Sequence, residues 1–400
     1  MANKPLQNYI PALTGVRALA AYLVFISHYA YAFDENFPHG VQRFLNEFHI
    51  GVTIFFVLSG FLIAFRYFDN FKLTGDWFRQ YLKNRVARIY PMYFLLTLGA
   101  FVVYHFTNDQ KVTSGFGSPV GLFFMNITFI RGFFDQLKFT GIAQGWSLTV
   151  EECFYFSAPI IFFVAKKYNK FYIQPVIITL IGFLLVLIFR NVNWYGFFGN
   201  FTFMMLYTFF GRCFEFFVGI QLALIIKKKQ PLVANGSKGI TYLGFFLIFF
   251  CVWIMSILPI PKGEIAGLQN PLGVVTNNYL LATSIALFFY GILTETTILK
   301  KILSNKFVEL LGKSSYIFYL IHLGYMYDFL HSSFDWLNDY VFDLYDKWGV
   351  DWNSPFQYDN LNVLYAFLIL NAVSILLFKL IEEPVNHYIR KSNFLIKSRS

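Results

Sequence analysis

Ten mostly apolar stretches recur along the chain, at 10–33, 50–68, 89–106, 146–165, 172–189, 203–226, 240–258, 273–293, 309–330 and 361–381. Each approaches the roughly 20 residues that a helix needs to cross a hydrocarbon core about 30 Å thick. Charged residues cluster between these stretches, so the pattern predicts helices whose solvent is lipid. An eleventh apolar stretch, 119–134, is short, interrupted and flanked by glycine, which fits a re-entrant or interfacial segment better than a span. No repeat of fixed period and no Pro/Ser-rich linker divides the chain. The expectation is an all-α polytopic membrane protein of about ten transmembrane helices, a single integral-membrane domain over 1–400 with no appended soluble domain.

Composition strengthens this reading. Of the 400 residues, 57% are hydrophobic and 14% charged, against about a quarter charged in soluble domains. Most of the 53 phenylalanines need no special role, because Phe fills lipid-facing and interhelical space as Leu does. Cys153, Cys213 and Cys251 all lie inside apolar runs, which argues against a disulfide framework, and no metal-binding spacing occurs. The N-terminal apolar run outlasts a signal-peptide core and has no small-residue cleavage site after it.

The net charge of +10 raises the question of nucleic acid, and its placement answers it. With the N-terminus in the cytoplasm, the inside segments together with Lys313 carry 23 Lys/Arg and the outside segments carry 7, with Arg17 and Arg212 inside spans. A bias above threefold is a positive-inside signature that puts both termini in the cytoplasm. The basic balance therefore serves topology, and nucleic-acid binding drops out. Two outside segments are long. In 331–360, six aspartates from Asp335 to Asp359 alternate with Trp336, Tyr340, Tyr345, Trp348 and Trp352. Such a surface suits a sugar, and it equally suits a solvated loop with an interfacial aromatic belt.

Ionisable residues inside spans are costly and usually functional. Arg17 and His28 stand eleven residues apart in the first span, about three helical turns plus 20°, so they share one face about 16 Å apart along the axis. Gly15, Ala18, Ala20 and Ala21 leave room for neighbouring helices. A neutral imidazole can take a hydroxyl proton or carry an acyl group, and a guanidinium can pair with phosphate or an oxyanion. A structural hydrogen bond for His28 and snorkelling for Arg17 account for either residue alone as well as chemistry does; for the pair on one face the chemical reading is favoured over that one. Arg85 and Arg88, three apart just before the third span, form a seat for a polyphosphate or for lipid headgroups.

In the fourth span Ser147, Glu151 and Tyr155 make one polar stripe beside Glu152. One of these carboxylates is expected to support a histidine from another helix or to pair with Arg17 or Arg212. Ser315, Tyr319 and His322 share a face in the ninth span, where a packing network is the favoured reading. Arg212 and Glu215 neutralise each other most simply, and Glu382-Glu383-Pro384 reads as a helix stop.

Five segments in order resemble the membrane-bound acyltransferase 3 family: Leu13-Thr14-Gly15-Val16-Arg17 running to His28; Phe55 to Leu62 (FFVLSGFL); Arg85-Val-Ala-Arg88-Ile-Tyr-Pro91; Trp146-Ser-Leu-Thr-Val-Glu151-Glu152-Cys-Phe-Tyr155; and Ser315 to His322. The resemblance implies a ten-helix core in the bacterial inner membrane. It implies catalytic Arg17 and His28 with Glu151, Arg85 and Arg88 on the acyl-CoA side, and an O-acyltransferase acting on a surface glycan. Thr14 departs from the aspartate of many relatives, which touches a helix start and leaves the site intact. The donor expected is acyl-CoA, acetyl-CoA first, with no resident cofactor and no metal; the acceptor is a surface or lipid-linked glycan. A glycan-precursor flippase is the alternative. A glycan polymerase fits less well, since the outside segments hold so few basic residues.

Overall fold

The computed structural model describes residues 9–32, 38–107, 112–113, 117–228 and 239–392. The basic segment 229–238 and both chain ends, which hold part of the charge asymmetry, lie outside the described residues. Among the described residues the regular elements are helices, and Phe134 and Phe197 meet in an isolated antiparallel bridge.

The helices are α1 (Pro11–His28), α2 (His39–Asn46), α3 (Gly51–Tyr67), α4 (Gly75–Thr107), α5 (Pro119–Ile127), α6 (Gly145–Tyr168), α7 (Ile173–Phe189), α8 (Phe201–Tyr207) and α9 (Phe209–Lys228). They continue with α10 (Gly239–Ile257), α11 (Pro271–Val275), α12 (Ala282–Thr294), α13 (Ile298–Leu303), α14 (Lys306–Ile321), α15 (Tyr325–Trp348), α16 (Asp359–Leu377) and α17 (Glu383–Lys391). Among the described residues eight helical stretches are long and apolar enough to cross a membrane. The other two predicted spans are α7, with 17 residues, and α14, with 16. The chain is an all-α polytopic membrane protein.

Close approach of backbones builds the bundle. Gly60 of α3 lies against the Phe216 carbonyl of α9, and Gly219 of α9 lies against the Val57 carbonyl of α3. A Cβ at either position would strike backbone, so the two helices cross at a reciprocal glycine contact. α1 runs through the middle: Ala20 packs under Gly51 of α3, and Thr14 packs under Gly312 of α14.

Four boundaries differ from the sequence pattern. The predicted span 309–330 is broken: α14 ends at Ile321, Gly324 takes φ +81°, and α15 starts at Tyr325. Hydropathy runs smoothly through this point, but the positive φ of Gly324 turns the chain. The acidic, aromatic segment after it is largely helix α15. It exposes Trp336 and Tyr340, whose rings stack at 5.6 Å. The third span begins earlier than its apolar run, because α4 carries Arg85 and Arg88 in a single helix of 33 residues. Glu382-Glu383-Pro384 is no stop. A π-turn at Phe378–Glu382 joins α16 to α17, where Pro384 occupies a first-turn position that does not need its N–H.

Candidate active site

Most of the residues singled out above line two chambers along α1, one at Arg17 and one at His28. The first is a narrow cleft of about 50 Å³ lined by Arg17, Ser59, Arg85, Arg88, Glu151 and Tyr155. The second, about 570 Å³, is lined by His28, His49, Gln144, Trp146 and Arg212, among others. Val52 and Tyr319 line both, so little more than one side chain's thickness divides them. Ser147 holds Tyr319 in that wall: the two hydroxyls are 2.8 Å apart, and Ser147 also donates to the Gln144 carbonyl at 2.9 Å.

In the first chamber Arg85 is buried beneath two tyrosine rings, Tyr67 and Tyr155, with its guanidinium carbon 5.5 Å from each centroid. It also donates to the Tyr67 hydroxyl at 3.4 Å. Glu151 accepts from the hydroxyls of Ser59 and Tyr155. Tyr155 is itself placed by a helix defect. Pro159 inside α6 has no N–H to give the Tyr155 carbonyl, and the Tyr81 hydroxyl of α4 donates to that carbonyl at 3.1 Å. Arg390, brought here by α17 packed on α4, lies within electrostatic reach of Arg85, Arg88 and Arg66. Arg17 and Arg88 are half-buried, and Nε of Arg17 has no hydrogen-bond partner among the described residues. Arg17, Arg85 and Arg88 thus line the same cleft as Glu151, with Glu152 within electrostatic reach of Arg85 and Glu382 of Arg88, and this concentration of guanidinium groups is a setting for polyanions.

In the second chamber the His28 ring is exposed to the cavity. Behind it, at 5.4 Å between ring centroids, lies the fully buried His322. Nδ1 of His322 is 2.8 Å from the Tyr319 carbonyl, which accepts only, so Nδ1 carries the proton in the neutral ring. Nε2 is then a lone pair, and it has no protein partner among the described residues. His49 enters the same chamber with Nδ1 3.0 Å from the Asn46 carbonyl. Arg212 is held by Glu215 at 2.7 Å and by the Thr53 hydroxyl at 3.0 Å, and it also borders the cavity.

Arg131 shapes the wall of this chamber. Its fully buried guanidinium donates to the carbonyls of Lys138, Thr140 and Ile142, and burial draws its pKa below the usual guanidinium value. The loop so gathered supplies Phe139, Ala143 and Gln144 to the cavity.

Several expectations shift. Arg17 and His28 lie along α1 as predicted but open into different chambers. Glu151 belongs to the Arg17 chamber, held by Ser59 and Tyr155; it is His322 that stands beside His28. Glu152 lines neither chamber and lies within electrostatic reach of Arg85. Ser315 donates to the Gly312 carbonyl of its own helix at 2.8 Å and faces neither cavity. Sequence reasoning missed Ser59, Arg66, Arg390, His49, Gln144 and Arg131. Ser59 lay in a quoted motif and His49 just before it; Arg131 looked like one more basic residue of an outside segment.

The fold is thus a polytopic helical bundle with an arginine-bearing cleft and a histidine-bearing chamber set along one helix. The chain belongs to the family described as "Acyltransferase domain", whose pattern it matches over residues 10–381. It is 24% identical over 359 residues, 81% of this chain and 52% of the relative, to a Staphylococcus aureus (strain COL) protein that bears the name of an O-acetyltransferase. It is 28% identical over 163 residues, 40% of each chain, to the acyltransferase MdmB of Streptomyces mycarofaciens. Over 177 residues it is 29% identical to the peptidoglycan O-acetyltransferase OatA of Listeria monocytogenes, covering 41% of this chain and 26% of that one. The chain spans about half the length of the staphylococcal relatives it matches. No solved structure matches at a significant level.

Proposed function

We propose that the protein is an inner-membrane O-acyltransferase that moves an acyl group, acetyl first of all, from cytoplasmic acyl-CoA to a hydroxyl of a surface or lipid-linked glycan. The observation that carries this reading is the pair of chambers divided by Val52 and Tyr319. One end is rich in arginine, the other presents a histidine, and the charge asymmetry of the sequence directs the arginine end to the cytoplasm. The names of the relatives support acetyl as the group and a glycan hydroxyl as the acceptor.

The phosphates of the donor pair with Arg88, Arg66 and Arg390 at the mouth, with Arg85 buried behind them, since a cleft of about 50 Å³ admits a slender chain end and not a nucleotide. The thioester passes between Val52 and Tyr319, which line both chambers, into the chamber that holds His28. His28, supported by His322, takes the proton of the acceptor hydroxyl as its oxygen attacks the thioester carbonyl carbon. The C–S bond breaks, and the imidazolium returns the proton to the departing thiolate. In the two-step variant His28 first carries the acyl group.

Radiolabelled acetyl-CoA, reconstituted protein and a panel of glycans test this. His28→Ala should lower transfer by about 10²–10⁴-fold, the usual worth of a general base. Wild-type transfer by correctly inserted His28→Ala overturns the reading. Acceptor movement across the vesicle without CoA release makes the protein a flippase instead.

A further inference from the structure

A second cavity adjoins the His28 chamber from the side. This groove, about 500 Å³, runs between α4, the loop around 139–143 and the break between α14 and α15. Phe139, Ala143 and Leu323 line both the groove and the His28 chamber, so the two are neighbours through a shared wall. Its α4 side is Leu95, Leu96, Gly99, Ala100 and Val103, with Leu95 43% and Val103 39% exposed. That stretch covers about 12 Å of helix axis, over a third of a bilayer core about 30 Å thick. Among the described residues Asp328 is the one charged residue in its lining, and it sits at the α15 end.

An apolar groove open on the lipid-facing side of a membrane-spanning helix takes hydrocarbon. A bulk lipid has no need of a wall shared with a reaction chamber; a substrate whose tail stays in the bilayer while its polar head reacts needs that arrangement. The broken helix forms one flank. Gly324, at the turn between α14 and α15, lines the groove together with Leu320 and Ile321 before it and Tyr325 and Phe329 after it.

Resting on the acyltransferase reading above, we propose that this groove is a lateral port. It seats the hydrocarbon anchor of a lipid-linked glycan and delivers the sugar hydroxyl to His28 from within the outer leaflet. The acceptor class is then an anchored glycan rather than a free, water-borne one.

Gly99 offers a clean probe. A Cβ there meets nothing within 4 Å and Gly99 lines the groove, so Gly99→Trp places bulk at the groove wall, with Gly99→Ala as control and a thermal melt of both variants to confirm the fold. A polyisoprenyl-phosphate sugar bearing a diazirine is photolysed with the protein in phosphatidylcholine nanodiscs, and the adducts are mapped. Label should concentrate in 95–103 and 320–329, fall at least about fivefold in Gly99→Trp, an energy near 1 kcal/mol, and persist in Gly99→Ala. Unlabelled polyisoprenyl-phosphate sugar should compete, and phosphatidylglycerol at the same mole fraction should not. Label spread evenly along the lipid-facing helix α7, or displaced equally by phosphatidylglycerol, marks ordinary bilayer lipid and overturns the port. Acetyl-CoA turnover on a water-soluble glycan is measured in parallel. Turnover without groove labelling sinks the port and spares the enzyme; groove labelling with no CoA release on any acceptor sinks the enzyme reading.

Discussion

His322 has two ring nitrogens with different duties. Nδ1 is committed to the Tyr319 carbonyl at 2.8 Å, and Nε2 is a buried lone pair beside His28. Asparagine places an amide N–H where Nδ1 stood and nothing where Nε2 stood. His322→Asn should therefore melt like the wild type, retain its acceptor KM and lose kcat by about 10²-fold, at the low end of general acid–base effects. A matched loss of thermal stability would show instead that His322 only packs. Arg131 makes the opposite case. Its charge is spent on carbonyls that fold the 138–142 loop. Arg131→Met leaves those carbonyls buried and unsatisfied, at about 1–3 kcal/mol each, so it should lower the melting temperature in detergent. Arg17 and His28 were legible as a pair because helical phase relates residues within one helix. The partnership of His28 with His322 was not, because it joins helices 294 residues apart in sequence.

Between elements, the α3–α9 crossing depends on Gly60 and Gly219 facing each other's carbonyls. Gly60→Leu should separate the helices and cost about 1–3 kcal/mol, as overpacking does. Thermal melting of the purified variant checks this, with Gly99→Ala, in open space on α4, expected to be silent. The spans themselves were readable, since burial in lipid imposes a length and a composition on each. Their interruptions were not. The break at Gly324 lies within a single predicted span, and the π-turn before α17 takes in Lys379 and Glu382, charges that along the sequence read as a stop. Nor was the Tyr81 hydroxyl readable as the group that answers the carbonyl left free by Pro159.

Over the whole molecule, function depends on which chamber faces which side. The native cysteines are buried or half-buried, so added ones report cleanly. Asp339→Cys, on exposed α15, should react with a membrane-impermeant maleimide in intact cells, and Lys301→Cys, on exposed α13, should react only after the membrane is opened. The reverse pattern would invert the molecule and place the arginine cleft outside, away from cytoplasmic donors.

Sequence by itself determined the solvent of this chain, the rough limits of most of its spans, their expected orientation, and part of the polar lining of the two chambers: Arg17, Arg85, Arg88, Ser147, Glu151 and Tyr155 on one side, and His28 on the other. These are local properties: hydropathy, charge asymmetry and helical phase are written along the chain. Tertiary structure alone decided how those residues divide. It sent Glu151 to Arg17 and His322 to His28, turned Ser315 back on its own helix, and set Tyr319 in the wall between the chambers. The apolar groove was left open beside them at the same time. Each of these depends on helices distant in sequence meeting at a particular rotation, and glycine contacts and proline-freed carbonyls set that rotation.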